Sequence, residues 1–384
     1  MRALLIIAVL LAALGAVGWM NRLDVLLWAA PKLIALRNPI EPNRVVDWSE
    51  GPAEAALPPN ERPPNVILIV ADDMGFNDVS FYNGGAADGS LQTPAIDAIA
   101  AQGVVFRNGY AANAVCAPSR ASIMTGRYST RFGFEFTPFW KIGATIFDMM
   151  SRLEPGPLPI DIDLDAADRL PAIEDQGMPA SETTVAELLQ DAGYYTAHIG
   201  KWHLGGAEGT LPEDQGFHDS LNMGSGTAYL PPDSPDVVNA VPGKDGIERM
   251  VWATMQYYVR FNGGDHFEPK GYLTDYYTDE ALRVIEANRN RPFFLYLAHW
   301  GIHNPLQALK SDYEALAHIE DHSLRVYAAM IRALDRSVAR VTAKLDELGL
   351  AENTLVIFTS DNGGAGYIGL PDINSPYRGW KLTH

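Results

Sequence analysis

The feature that most constrains how this chain can fold is a set of short apolar runs separated by helical patterns. The first run, Val66-Ile67-Leu68-Ile69-Val70-Ala71, is continuous and largely β-branched. Such a run predicts a strand buried on both faces. Three further strands are expected over Tyr194–Ile199, Pro292–Ala298 and Thr354–Thr359. Helical patterns fall between them. One opens with Thr93 as N-cap and Pro94 at the first position and stops at Gly103, and one runs from about Pro118 to Gly126. Others run from about Thr184 to Ala192 before Gly193, from about Leu273 to Asn288, and from His322 to Leu348. Strands alternating with helices imply an α/β fold with a mainly parallel sheet flanked by helices. The stretch from Leu204 to Lys270 is rich in Gly, Pro and Asp and reads as long loops over the active face.

In such sheets ligands bind beyond the carboxyl ends of the strands. Each of these strands ends in residues suited to a charged site: Asp72 and Asp73, then Lys201 and His203, then His299 and His303, then Asp361 and Asn362. Asp72, Asp73, Asp361 and Asn362 offer three carboxylates and one amide oxygen. That set suits a hard cation, Ca²⁺ or Mg²⁺, better than zinc. Any one of these acids could instead be a cap or turn former; two adjacent pairs at the ends of two buried strands favour a metal.

The chain has 384 residues with 47% hydrophobic content, enough for a sizeable core, and a formal net charge of -18. That charge repels nucleic acid, so no nucleic-acid partner is expected. An anionic substrate would need local positive charge. The single cysteine, Cys116, excludes an intramolecular disulfide. It lies just before a predicted helix start, where partial positive charge favours anions, and Arg120 sits one turn on.

At the N-terminus, Met1-Arg2 precede an almost unbroken apolar run from Ala3 to Met20, followed by Asn21-Arg22. Its length is at the lower edge of what spans a bilayer, and it offers only poor small-x-small cleavage sites. It reads as a signal anchor ahead of a cleaved signal peptide, placing the rest of the chain in the periplasm or outside the cell. Residues 23–64 read as an irregular, Pro-rich stalk with a second apolar patch at Val25–Ala30, and 65–384 as the catalytic domain.

Cys116-Ala117-Pro118-Ser119-Arg120, with Thr125-Gly126-Arg127 downstream, resembles the first signature of the type I, formylglycine-dependent sulfatases. Gly200-Lys201-Trp202-His203-Leu204-Gly205 is similar to the second. The segments around Asp72-Asp73 and Asp361-Asn362 look like sulfatase segments as well. The resemblance covers roughly Asn65 to His384. It implies an alkaline-phosphatase-like fold and oxidation of Cys116 to formylglycine by a formylglycine-generating enzyme. It implies a divalent metal, usually Ca²⁺ with Mg²⁺ as the alternative, held by Asp72, Asp73, Asp361, Asn362 and the modified Cys116.

The same resemblance assigns catalytic roles. Arg120 and Lys201 would orient the aldehyde hydrate, with Lys201 also reaching the sulfate. His203 would act as base in the second step. His303 would donate a proton to the leaving group, and Lys381 would bind sulfate. One hydrate hydroxyl would attack sulfur, and loss of the proton on the other would expel sulfate. The implied substrate is a sulfated small molecule or glycan. Because the sequence stops at His384, inside what looks like an active-site segment, a C-terminal subdomain found in such proteins is expected to be missing.

Two other readings stay open: a phosphonate monoester or phosphodiester hydrolase of the same superfamily, and a catalytically inert, membrane-tethered binder of sulfated glycans. His299 and His198 read as packing histidines. Phe132, Phe134, Phe136, Phe139 and Trp140 read as core ahead of pocket wall. Lys310, Asp312 and Glu314 read as solvated surface.

Overall fold

The computed structural model describes residues 19–82, 84–86, 88–153, 161–224, 226–241 and 245–383. Numbered in chain order, the elements are α1 (Arg22–Arg37), β1 (Asn65–Ala71), α2 (Pro94–Gln102), α3 (Cys116–Thr125), α4 (Lys141–Leu153), α5 (Leu164–Asp168), α6 (Val185–Asp191), β2 (Tyr195–Gly200), β3 (Asp219–Met223) and β4 (Val237–Asn239). They continue with α7 (Gly246–Thr254), β5 (Val259–Phe261), β6 (His266–Phe267), α8 (Leu273–Ala287), β7 (Phe293–Ala298), β8 (Gln307–Leu309), α9 (Lys310–Ala315), α10 (His322–Glu347) and β9 (Thr354–Ser360).

The main sheet has seven strands in the order β6-β5-β3-β2-β7-β1-β9. Strands β3, β2, β7, β1 and β9 run parallel, while β5 and β6 are antiparallel additions at one edge. The sheet is therefore mixed, with a parallel centre. A separate antiparallel pair joins β4 to β8.

Successive strand residues point to opposite faces, which divides each apolar run between two cores. From β1, Ile67 and Ile69 join the core under α8 and α10, whereas Leu68 and Val70 join the core under α3 and α6. In β7, Leu295 and Leu297 go to the first core and Phe294 and Tyr296 to the second. Burial on both faces removes any polar alternation, which is why these strands read as unbroken apolar runs.

Three local features depart from the sequence expectations. The region 204–270 is not all loop, because it supplies β3, β5 and β6 to the main sheet and contains α7. β3 (DSLNM) is fully buried yet polar, and side chains satisfy it. Ser220 Oγ lies 2.9 Å from His198 Nδ1, and Asp219 Oδ2 accepts from Tyr195 Oη at 2.7 Å. The second departure lies in residues 23–64, where α1 replaces irregular chain despite Pro31 inside it. Further on, Val46 and Trp48 are buried, and Trp48 Nε1 donates to Glu280 Oε2 at 2.7 Å. The third is Asp312, which is buried rather than solvated and accepts from Arg336 Nη1 at 2.7 Å.

The apolar run from Ala3 lies mostly outside the described residues. Among those described, no helix is long and apolar enough to cross a membrane. α1 does expose Trp28, Leu33 and Leu36.

Asp78 follows β1 and is fully buried. Its Oδ2 accepts from the Gly75 amide at 2.7 Å and from Tyr327 Oη at 2.5 Å, and its Oδ1 has no partner. Burial pushes its carboxyl up to about 7, against the lowering effect of both donors. Between its unfolded value near 4 and about 7, the folded state holds the extra proton, so stability falls as pH rises through that window. Asp78→Asn keeps an acceptor for both donors and removes the titration. It is expected to flatten the pH dependence of unfolding between pH 4 and 8 and to gain stability at pH 8. Urea unfolding at several pH values checks this; an unchanged slope would contradict it.

Candidate active site

Parallel pairing is what assembles the site. The register sets Gly200 beside Ala298, Ala298 beside Val70, and Ala71 beside Ser360. The residues after four adjacent strands therefore emerge together at one edge of the sheet. Gly200 permits the closest approach in this row: its φ is +107°, and a Cβ there would lie 2.0 Å from the Ala298 carbonyl oxygen. The Lys201 amide then donates to that same oxygen at 2.8 Å.

Asp72 and Asp73 follow β1, Lys201 and His203 follow β2, His303 follows β7, and Asp361 and Asn362 follow β9. Cys116 is the first residue of α3, two residues earlier than the Pro118 start predicted, and the helix closes at Gly126 in the left-handed region. Lys381 reaches the site from the last described segment. Its amide donates to Gly364 O at 3.1 Å, and the Leu382 amide to Ala114 O at 3.0 Å. All these side chains are buried except His203, which is half-buried.

Donor atoms of Asp72, Asp73, Cys116 and His303 lie within 4.8 Å of one another. Cys116 Sγ is 3.4 Å from Asp72 Oδ1 and 3.7 Å from Asp73 Oδ1. Cations oppose the carboxylates on the outer side. Lys201 Nζ lies 2.6 Å from Asp72 Oδ2, Lys381 Nζ 2.9 Å from Asp73 Oδ2, and Arg120 Nε 2.8 Å from Asp361 Oδ2. Arg120 Nη1 also donates to Lys201 O at 2.9 Å, while its Nη2 is buried without a hydrogen-bond partner.

His303 donates Nδ1–H to Asn304 O at 2.6 Å, which leaves Nε2 to accept from Lys381 Nζ at 2.9 Å. With both nitrogens engaged, the ring is a poor metal ligand in this arrangement. The oxygen donors fit a hard cation better. Asn362 Nδ2 donates to Asp73 Oδ1 at 2.8 Å, so its Oδ1 stands buried without a partner beside the carboxylates. A buried orphan acceptor next to three acids is the arrangement a divalent cation would satisfy.

The electrostatics follow from burial and these pairings. Burial pushes the Asp73 carboxyl up, but Lys381 and His303 outweigh it, and the net shift is down. The Asp361 carboxyl is raised by burial and by Asp72 despite Arg120. Burial opposes charge on Lys381, yet Asp73 holds its ammonium well above the ordinary range. Burial and neighbouring cations push His203 and His303 well down, which favours their neutral forms. Burial raises the Cys116 thiol far above its ordinary value, outweighing Lys201 and Lys381, with Asp72 raising it further. An unmodified Cys116 is thus held as a thiol, the wrong form for a nucleophile.

Several contributors carried no motif signal. The Trp300 ring stacks on His303 with centroids 4.0 Å apart, and Lys201 Nζ lies 4.8 Å over Trp300. Tyr229 Oη sits 2.7 Å from Trp300 O and 2.8 Å from His303 O, pinning the turn that holds His303. Tyr367 Oη donates to Asn304 Oδ1 at 3.2 Å. His299 and His198 lie away from this cluster. His299 Nε2 is 2.9 Å from Ser337 Oγ, and burial pushes both rings down to about 3, so they pack as neutral imidazoles.

A mixed sheet flanked by helices, with an acidic cradle and three lysine or arginine side chains at the strand ends, defines an α/β protein consistent with the alkaline-phosphatase-like superfamily. The chain matches the family described as Sulfatase over residues 64–379, and it belongs to that family. It is 33% identical over 308 residues to N-acetylgalactosamine-6-sulfatase of Rattus norvegicus, covering 79% of this chain and 51% of that protein. It is 30% identical over 327 residues to arylsulfatase J of Mus musculus, covering 84% of this chain and 46% of that protein. The crystal structure of Ps i-CgsB superposes with a TM-score of 0.64 at 29% identity, covering 83% of this chain and 62% of that one. The chain thus spans about half the length of the curated relatives it matches.

Proposed function

We propose that this protein is a sulfuric ester hydrolase that cleaves an organic sulfate ester, aryl or carbohydrate, to alcohol and sulfate. Its nucleophile is a formylglycine made from Cys116, and its cation is Ca²⁺, with Mg²⁺ as the alternative. The observation that carries this reading is the position of Cys116. A buried thiol, kept protonated, begins a helix between two carboxylates and within the field of two lysines. A cysteine with a thiolate role would sit in an electropositive, partly exposed setting.

Asp72, Asp73, Asp361 and Asn362 would hold the cation, together with an oxygen of the modified residue. A bound divalent cation would draw negative charge from the sulfuryl oxygens. Once hydrated, the aldehyde would supply one hydroxyl, which loses its proton as its oxygen bonds to sulfur and the alcohol leaves. Deprotonation of the second hydroxyl would break the bond to the sulfated oxygen, releasing sulfate and returning the aldehyde. Arg120, anchored by Asp361 and Lys201 O, brings its Nη2 to 3.6 Å from Asp72 Oδ2 and so adds positive charge at this anionic centre. Lys201 and Lys381 add positive charge that water does not screen at these buried positions. The Lys381–His303 pair carries a proton beside Cys116 and Asp73 and delivers it to the departing alcohol. His203, neutral at ordinary pH, takes the proton from the second hydroxyl.

We read residues 65–384 as the catalytic domain and 23–64 as the segment leading to it. Residues 1–22 are an export signal or anchor that delivers the protein to the periplasm or cell exterior, and the exposed apolar side chains of α1 support a position near a membrane surface. A formylglycine-generating enzyme is the maturation partner. The sugar in the name of one relative and the arylsulfatase name of another support both substrate classes.

The test is sulfate release from an aryl sulfate by protein co-expressed with a formylglycine-generating enzyme, compared with a phosphodiester of the same aryl alcohol. The expected result is faster turnover of the sulfate, lost on chelation and restored by Ca²⁺. Chelation should also lower the melting temperature, because a ligand bound only by the folded state stabilises it. Preferential turnover of the phosphodiester would overturn the reading.

A further inference from the structure

A cavity of about 860 Å³ runs outward from the reacting centre. Cys116, His203, His303 and Lys381 line its inner end, and Phe134, Phe136, Phe139, Phe147, Leu170 and Ile247 supply its walls. Room for a ligand is left by the small side chains Ala144, Ala166 and Ala167 on α4 and α5. One wall is clamped. Gln176 Oε1 accepts from the Phe139 amide at 2.7 Å, and Gln176 Nε2 donates to Phe139 O at 2.9 Å. The aromatic cluster that sequence favoured as core thus faces the cavity in part, with Phe136 57% exposed.

The charges along this cavity are uneven. Glu135, Asp161, Asp163 and Asp175 all contribute to the lining. Among the described lining residues there is no arginine, and the one lysine, Lys381, is committed to Asp73 and His303. Positive charge is therefore concentrated where one sulfate reacts. Beyond that point an additional anionic group on the substrate would meet four solvent-exposed acidic residues and, among the described lining residues, no lysine or arginine other than Lys381.

We propose that this cavity is a leaving-group subsite for alcohols that present an apolar face and carry no charge beyond the single sulfate. The inference rests on the sulfatase reading and narrows it. Flat or bulky apolar groups are held against the phenylalanine walls by surface burial. Substrates carrying further sulfates or carboxylates are rejected by like charge, a device that discriminates without any added attractive contact.

The experiment uses naphthyl sulfate and the same naphthyl sulfate bearing one extra ring sulfonate. Turnover is measured on aldehyde-bearing enzyme, and binding on the Cys116→Ala variant. The expected result is binding and kcat/KM about tenfold or more in favour of the singly charged ester. The gap should shrink at high salt and in Glu135→Lys, whose site is exposed and tolerant of change. Phe136→Ala should raise KM for naphthyl sulfate several-fold with kcat nearly unchanged. Equal or reversed preference for the sulfonated ester would overturn the proposal. Preferential binding of naphthyl sulfate without sulfate release would leave the subsite standing and overturn the hydrolase reading instead.

Discussion

Replacing Cys116 by alanine is expected to abolish sulfate release, lowering kcat by about five orders of magnitude or more, as for loss of a covalent nucleophile elsewhere. The fold should survive. The sulfur touches Asp72 and Asp73 at 3.4 and 3.7 Å, and its loss leaves the carboxylates and their lysine partners in place. Removing one buried sulfur costs about 1 kcal/mol. Thermal melting should therefore shift little while activity disappears. Cys116→Ser separates the nucleophile from the turnover step. A serine hydroxyl can take sulfate from one substrate molecule, but it has no second hydroxyl through which to expel it. Its expected trace is a single-turnover burst at most. Steady turnover by either variant would remove Cys116 from the mechanism.

Asp361→Ala is expected to have the second large effect, on stability as much as on activity. Asp361 and Arg120 are both fully buried and meet at 2.8 Å. Removing Asp361 leaves the buried Arg120 charge with only its longer contact, Nη2 to Asp72 Oδ2 at 3.6 Å, so the loss should approach the cost of about 3–5 kcal/mol for breaking a buried pair. The amides of Asp73 and Asn362 also lose their acceptor, Asp361 Oδ1, at 3.2 and 2.8 Å. Both amides belong to proposed cation ligands, so cation affinity should fall as well, by about ten- to a hundredfold. Asp361→Asn keeps an acceptor oxygen and should lose less stability. Urea unfolding with and without Ca²⁺ measures both effects. A Cys116→Ala-like profile, inactive but fully stable, would show that the Asp361–Arg120 pair does not hold the site together.

The sequence was most readable where burial is two-sided. β1 and β7 announce themselves as apolar runs, and the edge strand β9 keeps an apolar sequence although Leu355 and Ile357 are 53% and 40% exposed. Parallel pairing then forces the residues after β1, β2, β7 and β9 into one row. That is why candidates drawn from strand ends 129 and 288 residues apart, Asp72 with Lys201 and Asp73 with Asp361, prove to be neighbours. β3 was invisible because its buried face is polar, and its partners His198, Tyr195 and Asn262 lie elsewhere in the chain. Asp312 read as surface for a similar reason: what buries it is an ion pair with Arg336, 24 residues away. The supports of His303 were equally silent. Trp300 and Tyr229 are ordinary aromatics until the fold sets one against the ring and the other under the turn. Aromatic content alone could not separate core from pocket wall around Phe136, since both uses need the same side chains.

The most direct test of the central claim is mass spectrometry of the tryptic peptide Asn108–Arg120, taken from full-length protein co-expressed with a formylglycine-generating enzyme. The account predicts an aldehyde in place of the Cys116 thiol, in a fraction that rises and falls with the specific sulfatase activity of the preparation. An unmodified thiol in protein that nonetheless releases sulfate would contradict it.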